Sequence, residues 1–517
     1  MRGETSGLRS AGGWWESKAA LATALCLVAL PLLLPAFPPL TDLPGHMARW
    51  HIAMEIGTSP TLGRYYNYLW QPIGNLGLDI LVPPLAHLLG LEMAAKVAVL
   101  LIPVLTASGM LWTAFEVHRR IPPSAWLALP FAYAWPFQFG FVNFALSQAL
   151  AFCALGLWLR LGRNGRFGMR AALFAPIGCI LWLAHNAGWG LFCLMAFGAE
   201  IARLRAERRT WLAAGAGAVT HCLPLGLPIL FMLLHPNQSA RGNSTGDWFD
   251  MPAKFLWLIS SLRDRWFAFD VASVGLVVLA LYAAMRDRHL GLAPLLAWPA
   301  LFCGLAFLLL PRLLLGGAYV DMRVVPAAFA LALLGIRAPD APRLRSIVAV
   351  AAVLFCVVRI GGTTLSFADR AAAQQRELEA LGALPRGAAT LALVAKPCQT
   401  PWSDLRGDHL PAFAIIRRDG FVNEQWDLEG QQLVRVRYVA AAPFLGDPSQ
   451  LVYPASCPEI GRSPERAIAE FPRGAFTHVW TIGVSRQAVR APDLRLIWAK
   501  GDAAVYAVAH TPLTQAH

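Results

Sequence analysis

The sequence predicts a mainly α-helical protein, in which a polytopic transmembrane helix bundle of about eleven spans precedes a small α/β domain outside the membrane. Of the 517 residues, 56% are hydrophobic and only 15% are charged, whereas soluble proteins carry about 25% charged residues. Apolar runs long enough to cross a bilayer recur from Leu21 to about Leu365. After Phe367 the composition becomes much more polar, which indicates the start of the second domain.

Six basic clusters between the apolar runs predict the topology. We place all six in the cytoplasm, because short loops rich in Arg and Lys are retained on that side of the membrane. The clusters lie within residues 2–18, 118–120, 160–170, 203–209, 286–288 and 337–345. Consecutive clusters must then be separated by an even number of crossings. The clusters also account for most of the net charge of +13, so we predict no nucleic-acid partner.

Eleven spans satisfy this condition. They are, roughly, residues 20–40, 93–115, 124–138, 141–160, 171–185, 188–203, 211–234, 270–285, 290–310, 323–336 and 346–366. The predicted parts are a cytoplasmic leader (1–18), a transmembrane domain (19–366) with long outer loops at 41–77 and 235–270, and an extracytoplasmic α/β domain (367–517). Residues 77–92 contain Pro83-Pro84 and are predicted to be interfacial or re-entrant, because a further crossing would put the basic cluster at 118–120 outside.

The first outer loop is predicted to begin with a helix that continues to about residue 56. Asp42 is a suitable N-cap, and Pro44 suits the first helical turn. Met47 and Trp50 are part of an apolar pattern at helical spacing. We therefore expect this helix to lie in the membrane interface, with His46 and Arg49 on another face.

The second domain is predicted to contain a helix over 368–381, buried strands over 389–395 and 478–483, and a hairpin over 494–508. It also holds Cys398 and Cys457, the only two of nine cysteines outside a predicted span. In an oxidising outer compartment these two cysteines can form a disulfide, and the alternative is two unpaired thiols.

Asp42 is the candidate catalytic residue. A carboxylate at the outer end of the first span can accept a proton from an acceptor hydroxyl or bind a cation. The alternative is that Asp42 only caps the following helix. Asp42, His46, His51 and Glu55 loosely suggest a metal cluster, but their spacing matches no zinc template. We therefore predict no metal site, and a divalent metal at Asp42 is the one cofactor that we leave open.

Four further residues are candidates for binding a phosphate. His46 and Arg49 follow Asp42, and Arg offers charge-assisted bidentate contacts to phosphate; the alternative is a snorkelling Arg and a hydrogen-bonded His. His185 and Asn186 interrupt a long apolar stretch, where polar groups often mark a site. The alternative for this second pair is a tight outer turn that satisfies its own backbone.

Arg323 opens a late span at its outer end and can neutralise a lipid phosphate. The alternatives are an Asp321–Arg323 ion pair and simple headgroup contact. In the second domain, Asp408-His409 and Arg417-Arg418-Asp419 either contact an acceptor or form solvated surface. The candidate residues of the transmembrane domain fall on the predicted outer face, where nucleotide sugars and ATP are not available, and no cytoplasmic segment contains a Walker-type phosphate loop.

The segment Thr41-Asp42-Leu43-Pro44-Gly45-His46, together with the span count, the late outer Arg and the outer C-terminal domain, resembles the GT-C superfamily of membrane glycosyltransferases. Within that superfamily the pattern is similar to protein O-mannosyltransferases and aminoarabinose transferases. The resemblance implies that Asp42 is a base or metal ligand, and that Arg323 and His46 hold a polyprenyl phosphate. Many relatives carry two adjacent acidic residues at this point, whereas this chain has one.

The resemblance therefore implies a glycosyltransferase that moves a sugar from a polyprenyl-phosphate donor to an acceptor on the outer face. The acceptor can be a lipid, a glycan or a protein, and membrane lipid surrounds the bundle. A transporter or flippase of a lipid-linked intermediate is the first alternative, although it predicts internal repeats and charges near the midplane, which we do not find. A non-catalytic membrane scaffold is the second. Short loops and a bias towards Ala, Arg and Leu favour a bacterial inner (plasma) membrane.

Overall fold

The computed structural model describes residues 13–234, 245–287, 290–398 and 402–509. Most of the predicted leader, residues 1–12, and the first part of the second outer loop, residues 235–244, lie outside the described residues. The remaining chain forms a helical bundle followed by a domain built on a mixed β-sheet.

The helices of the first part are α1 (Lys18–Leu33), α2 (Leu43–Glu55), α3 (Leu62–Tyr65), α4 (Gly77–Leu89), α5 (Leu91–His118), α6 (Ala125–Ala128), α7 (Trp135–Phe139), α8 (Val142–Arg163), α9 (Phe167–Ala184), α10 (Asn186–Ala206), α11 (Trp211–Cys222), α12 (Leu227–Leu234), α13 (Met251–Ile259), α14 (Phe267–Arg286), α15 (Pro294–Leu309), α16 (Val325–Gly335) and α17 (Pro342–Leu378). Within the described ranges, seven segments are long and apolar enough to cross a membrane. They contain α5, α8, α9, α10, α11 with α12, α14 and α17.

The predicted fold class is confirmed. The four predicted spans that are not among these seven segments are present as shorter helices. Three of them correspond to the apolar helices α1, α15 and α16, which have fewer than 18 residues. The predicted span 124–138 is broken into α6, a 3₁₀ helix and α7. Pro130 and Pro136 supply the reason, because a proline lacks the N–H that a continuous helix needs.

The basic clusters that we predicted to be cytoplasmic contain arginines that pair with acidic residues. Glu116 contacts Arg163 and Arg119. Glu200 lies 2.7 Å from both Arg170 and Arg203, with its side chain buried. The charged residues at these predicted cytoplasmic ends therefore pair with one another. The opposite end of the bundle is the remaining place for a site.

The second part contains α18 (Phe413–Arg418) and α19 (Pro464–Glu470) and the strands β2 (Ala389–Ala395), β3 (Phe421–Val422), β5 (Leu451–Val452), β6 (His478–Ile482), β7 (Leu494–Lys500) and β8 (Ala503–Val508). The strand order is β3-β2-β6-β8-β7, and β5 also pairs with β2. Strand β2 is parallel to β3, β5 and β6, whereas β8 is antiparallel to β6 and β7. A disulfide joins Cys398 and Cys457 at one end of this sheet domain.

The two parts of the chain are joined tightly. Strand β1 (Tyr66–Tyr68) from the first outer loop pairs antiparallel with β4 (Val434–Val436). Helix α17 runs without a break across residues 366–367, the predicted domain boundary. Arg406 of the sheet domain donates to the side chains of Gln138 and Asp264 in the bundle, each at 2.6 Å.

The prediction that α2 lies in the membrane interface is wrong. All residues from 41 to 50 are buried, and α2 packs against α18, α4 and α5. An apolar stripe at helical spacing indicates that one face is covered, but it does not distinguish lipid from protein as the cover. Here the sheet domain covers α2, so the start of the first outer loop lies between the two parts of the protein.

Candidate active site

Asp42 is held by the backbone of the turn between α7 and α8. Its N–H donates to the carbonyl of Phe139 at 3.0 Å, and the N–H of Thr41 donates to Gln138 at 3.4 Å. Gly140 makes this approach possible. Its φ is +99°, and a Cβ added there would lie 2.5 Å from the Asp42 nitrogen. The position of Asp42 at the outer end of the first span is therefore set by a neighbouring span.

The Asp42 side chain does not cap α2. Asp42 occupies the N-cap position, but its backbone is helical, with φ −87° and ψ −10°, and its carboxylate accepts no capping bond. The alternative that Asp42 exists only as a cap is therefore wrong. Burial raises the pKa of Asp42 to about 7, and the nearby charges of His409 and Arg323 oppose that rise. Such a carboxylate exchanges its proton near neutral pH.

His409 of the sheet domain faces Asp42 from the other side. Its Nε2 lies 3.8 Å from the Asp42 carboxylate, and its Nδ1 lies 2.8 Å from Glu424 Oε2. Burial by itself lowers the pKa of His409, but the hydrogen bond to Glu424 and the charges of Asp447 and Asp42 outweigh it and raise the pKa to about 10. His409 is therefore an imidazolium at neutral pH.

Trp426 lies between two imidazole rings of the site. Its ring centroid is 4.6 Å from that of His409 and 5.2 Å from that of His46. Gly45 allows this contact, because a Cβ there would lie 2.8 Å from the indole ring. Burial, followed by the charges of Arg49 and His409, lowers the pKa of His46 well below its usual value. His46 is therefore neutral, and its Nδ1 has no hydrogen-bond partner among the described residues.

Arg49 belongs to a closed ion pair instead of a phosphate site. Its Nε and Nη2 donate to the two carboxylate oxygens of Asp79 at 2.7 and 2.8 Å, and Nη1 donates to Gln432. The side chain is 2% exposed. The expected snorkelling of Arg49 into the headgroup region is also absent, because the sheet domain covers α2. Every nitrogen of this guanidinium has a protein partner, so we do not assign Arg49 to a phosphate.

Arg323 differs from Arg49 because no carboxylate within the described ranges lies within ion-pair distance of it. Its Nη1 lies 3.2 Å from His185 Nε2, and its guanidinium lies 4.4 Å from the ring of Phe141. The Nε is buried and has no partner in the described part of the chain. Asp42 is the carboxylate whose charge acts most on Arg323. The segments after α1, between α9 and α10, and before α16 thus bring Asp42, His185 and Arg323 together.

The expected alternative of an Asp321–Arg323 pair is wrong. Asp321 instead lies 3.2 Å from Lys254, and both side chains are buried. Lys254 also donates to the carbonyls of Phe307 and Leu310 at the end of α15. Lys254 thereby anchors the segment that carries Arg323, while the Arg323 guanidinium is left for another anion.

Asn186 is the first residue of helix α10, which the side chain of His185 caps. It is exposed, and its Oδ1 accepts from the N–H of Ala187 at 2.7 Å at the start of α10. His185 Nδ1 lies 3.0 Å from the same N–H, while the other face of the ring contacts Phe144. The alternative of a locally satisfied turn therefore applies to Asn186, and only His185 reaches Arg323.

Two acidic residues and a histidine of the site were not recognised as such from the sequence. Glu424 and Asp447 gave no signal, and His409 appeared only as part of a polar pair with two interpretations. Asp408, the other member of that pair, lies 2.7 Å from Lys396 and contributes a second buried ion pair. The tail motif at 417–419 is more remote, since Arg417 pairs with Glu92 and Asp419 with His51.

The donor set around Asp42 does not fit a metal ion. Within the ranges that the structure describes, no group of three or more His, Cys, Asp or Glu side chains is arranged to hold one. His409, whose Nε2 lies 3.8 Å from the Asp42 carboxylate, is held through its other ring nitrogen by Glu424. We therefore derive no chemical step through a metal at Asp42.

Comparison with known proteins adds a distant structural similarity. No protein-family model matches the chain, and no curated protein matches it significantly. Two crystal structures of ArnT from Cupriavidus metallidurans are similar over 94% of this chain at 15% identity. The complex with undecaprenyl phosphate is covered over 97% with a TM-score of 0.46, and the apo state over 96% with 0.47. Because this similarity is distant, we derive the function from the residues of the site.

Proposed function

We propose that the protein is a glycosyltransferase that moves a sugar from a polyprenyl-phosphate donor to an acceptor on the outer face of the membrane, with Asp42 as the general base. The observation that carries this proposal is the juxtaposition of Asp42 and Arg323. The Asp42 N–H donates to Phe139, and the Arg323 guanidinium lies 4.4 Å from the ring of Phe141, so both residues flank the same turn. A buried carboxylate with a pKa of about 7 thus lies near a guanidinium that has no carboxylate partner within the described residues. The first suits proton abstraction near neutral pH and the second suits binding of an anionic leaving group.

The reaction is a single displacement at the anomeric carbon of the donor sugar. The acceptor oxygen forms a bond to the anomeric carbon, and the bond between that carbon and the phosphate oxygen breaks. The acceptor proton moves to the Asp42 carboxylate, and the electron pair of the broken bond stays on the phosphate. The products are the glycosylated acceptor and polyprenyl phosphate, so no co-reactant is required.

Arg323 and His185 are the groups that we assign to the phosphate. The guanidinium offers N–H donors that no carboxylate in the described ranges occupies, and His185, whose Nε2 lies 3.2 Å from Arg323 Nη1, helps to orient it. Phe141 and Phe144 line this side of Arg323 at 4.4 and 5.7 Å. An apolar lining excludes water and strengthens contacts to the phosphate as its charge develops. We place the reaction at the outer face of a bacterial inner membrane, as the arginine clusters and composition favour.

The test uses the purified protein in lipid nanodiscs. Undecaprenyl phosphate is the probe for donor binding, and a panel of synthetic undecaprenyl-phosphate monosaccharides with a labelled sugar is the probe for turnover. We expect the protein to bind the lipid phosphate and to release it from one panel member as label enters an acceptor. Asp42→Asn should abolish release while binding persists, and Asp502→Asn, on an exposed turn, is the matched control.

Three results would contradict the proposal. The first is an absence of undecaprenyl phosphate binding, and the second is failure to consume any member of the panel. The third is translocation of the donor across a vesicle membrane without its consumption, which would favour the transporter instead. Full turnover by a stably folded Asp42→Asn protein would remove Asp42 as the base.

A further inference from the structure

Three polar atoms converge on one point beside Asp42. His409 Nε2 lies 3.8 Å from Asp42 Oδ1 and 3.8 Å from Asp447 Oδ1. Both separations are too long for direct hydrogen bonds, which need about 2.7–3.2 Å. They do fit one oxygen atom placed between the imidazole and a carboxylate, with a normal hydrogen bond to each. The proposed reaction places an acceptor hydroxyl beside Asp42 and gives the donor phosphate to Arg323 and His185, but it assigns no role to His409 or Asp447.

The His409 side of this point is rigid. Glu424 accepts from His409 Nδ1 at 2.8 Å, and Gln425 donates to the other oxygen of Glu424 at 2.7 Å. Gln425 also donates to the carbonyl of Gly45 in α2 at 3.0 Å. The ring of Trp426 packs against His409. The Nε2–H of the imidazolium is therefore aimed by the sheet domain before any substrate arrives.

The two carboxylates at this point have different surroundings. The Asp42 side chain is 11% exposed, whereas that of Asp447 is 24% exposed. Asp447 is also anchored, since its Oδ1 accepts from Gln450 Nε2 at 2.8 Å and its N–H donates to the carbonyl of Gln425. One hydroxyl has one proton to donate, so a hydroxyl that gives its proton to Asp42 cannot also donate to Asp447. A second hydroxyl on the same molecule can.

We propose that the acceptor is a carbohydrate. Its attacking hydroxyl lies between Asp42 and the Nε2–H of His409, and a neighbouring hydroxyl of the same sugar donates to Asp447. The sheet domain thus builds two of the three polar contacts of the acceptor subsite. This inference rests on the proposed function and narrows the acceptor from lipid, glycan or protein to a sugar with adjacent hydroxyls.

Other acceptor classes fit this point less well. A serine or threonine side chain has a single hydroxyl, which can donate to Asp42 but not also to Asp447. An acceptor that attacks through a phosphate or carboxylate would bring its negative charge beside Asp42 and Asp447. A polyol without a ring offers adjacent hydroxyls but loses more conformational freedom on binding.

The test measures transfer of the labelled sugar to several acceptors, by the wild-type protein and by its variants. The labelled donor identified above is offered with methyl glycosides, with the matching monodeoxy glycosides that lack the neighbouring hydroxyl, and with a serine-containing peptide. We expect transfer to the glycoside to exceed transfer to the monodeoxy compound by about tenfold or more, which is the usual effect of one hydrogen bond to a charged group. Asp447→Asn should collapse that ratio towards one, while Asp502→Asn keeps it.

His409→Gln tests the imidazolium. Gln keeps a hydrogen-bond donor but removes the positive charge, so acceptor transfer should fall while undecaprenyl phosphate binding changes less than about twofold. The low-pH limb of the rate profile should also move to higher pH, because Asp42 then faces Asp447, Asp408 and Arg323 without the His409 cation. His478→Gln, on strand β6 of the same domain, is the matched control and should leave the profile in place.

The outcomes separate this inference from the proposed function. Preferential transfer to the serine peptide, or an unchanged acceptor ratio in a folded Asp447→Asn protein, overturns the carbohydrate acceptor while the glycosyltransferase stands. If the wild-type protein does not bind undecaprenyl phosphate, both the glycosyltransferase and the carbohydrate acceptor are overturned. The acceptor comparison on the wild-type protein needs no variant, so poor folding of one variant does not prevent a decision.

Discussion

Two aspartate–arginine combinations lie at the end of the bundle that the sheet domain covers, and only one of them is a bonded pair in the described structure. Arg49 and Asp79 form a bidentate ion pair at 2.7 and 2.8 Å, and both side chains are almost fully buried. Arg323 and Asp42 act on each other through their charges, but no ion pair joins them in the described structure. The first combination is complete without a ligand, whereas the second leaves a carboxylate and a guanidinium that a substrate can use.

The difference arises from what surrounds each arginine. The sheet domain supplies Gln432 to Arg49, and the bundle supplies Asp79, so both parts of the protein close that pair. Around Arg323, the neighbouring acid Asp321 is taken by Lys254. Arg323 is half-buried, and its Nε is enclosed without a partner among the described residues, which is an arrangement that a bound anion would complete.

Removing the Asp42 carboxylate should have the largest effect on turnover. Asp42→Asn keeps the shape of the side chain and removes the proton acceptor, so the rate of sugar transfer should fall by about 10²–10⁴-fold, the usual contribution of a general base. The measurement is label transfer at saturating donor, with undecaprenyl phosphate binding as the check on folding. A loss of less than threefold would place Asp42 with Asp79 as a structural residue.

Breaking the closed pair should destabilise the protein. Arg49→Met leaves Asp79 buried without its partner, and losing one member of such a pair typically costs roughly 3–5 kcal/mol. The readout is thermal unfolding in detergent by intrinsic fluorescence. Arg466→Met, whose side chain is 67% exposed, is the control and should be nearly neutral. A stable Arg49→Met protein that no longer binds undecaprenyl phosphate would reverse the assignment of the two arginines.

Arg323→Gln should weaken lipid-phosphate binding without destabilising the protein, which is the opposite of the effect expected for Arg49→Met. The substitution removes a charge with no carboxylate partner within the described residues, so unfolding should change little. Binding of undecaprenyl phosphate should weaken by about 10–100-fold, as expected for losing charge-assisted hydrogen bonds to phosphate. Arg312→Gln, in the same connecting segment, should leave binding within about twofold. Equal losses of stability in Arg323→Gln and Arg49→Met would remove the distinction between the two combinations.

The pH profile gives the smallest effect and refines the role of Asp42. A base acts only when deprotonated, so turnover should rise with pH through the Asp42 pKa of about 7 and then level off. Below that value the rate should fall about tenfold per pH unit. His409 stays protonated across this range because its pKa is raised to about 10. A rate that is flat from pH 5.5 to 8 would contradict proton transfer to Asp42.

Local sequence patterns predicted the helices and strands well, because each depends on residues close in the chain. The arginine clusters, the apolar runs and the polar tail were sufficient for the fold class. The same local reasoning misplaced α2, since its apolar stripe has the same spacing whether lipid or protein covers it. It also allowed a capping role for Asp42, but the Asp42 side chain makes no capping hydrogen bond to α2.

The sequence by itself determined the membrane bundle, the α/β tail and the choice of Asp42 and Arg323 as candidates, because composition and local spacing carry that information. Only the tertiary structure decided which charges meet. It paired Arg49 with Asp79 and Asp321 with Lys254, and it brought His409, Glu424 and Asp447 to Asp42 from a domain far along the chain. The physical reason is that ion pairing and burial depend on three-dimensional neighbours, which no local pattern records.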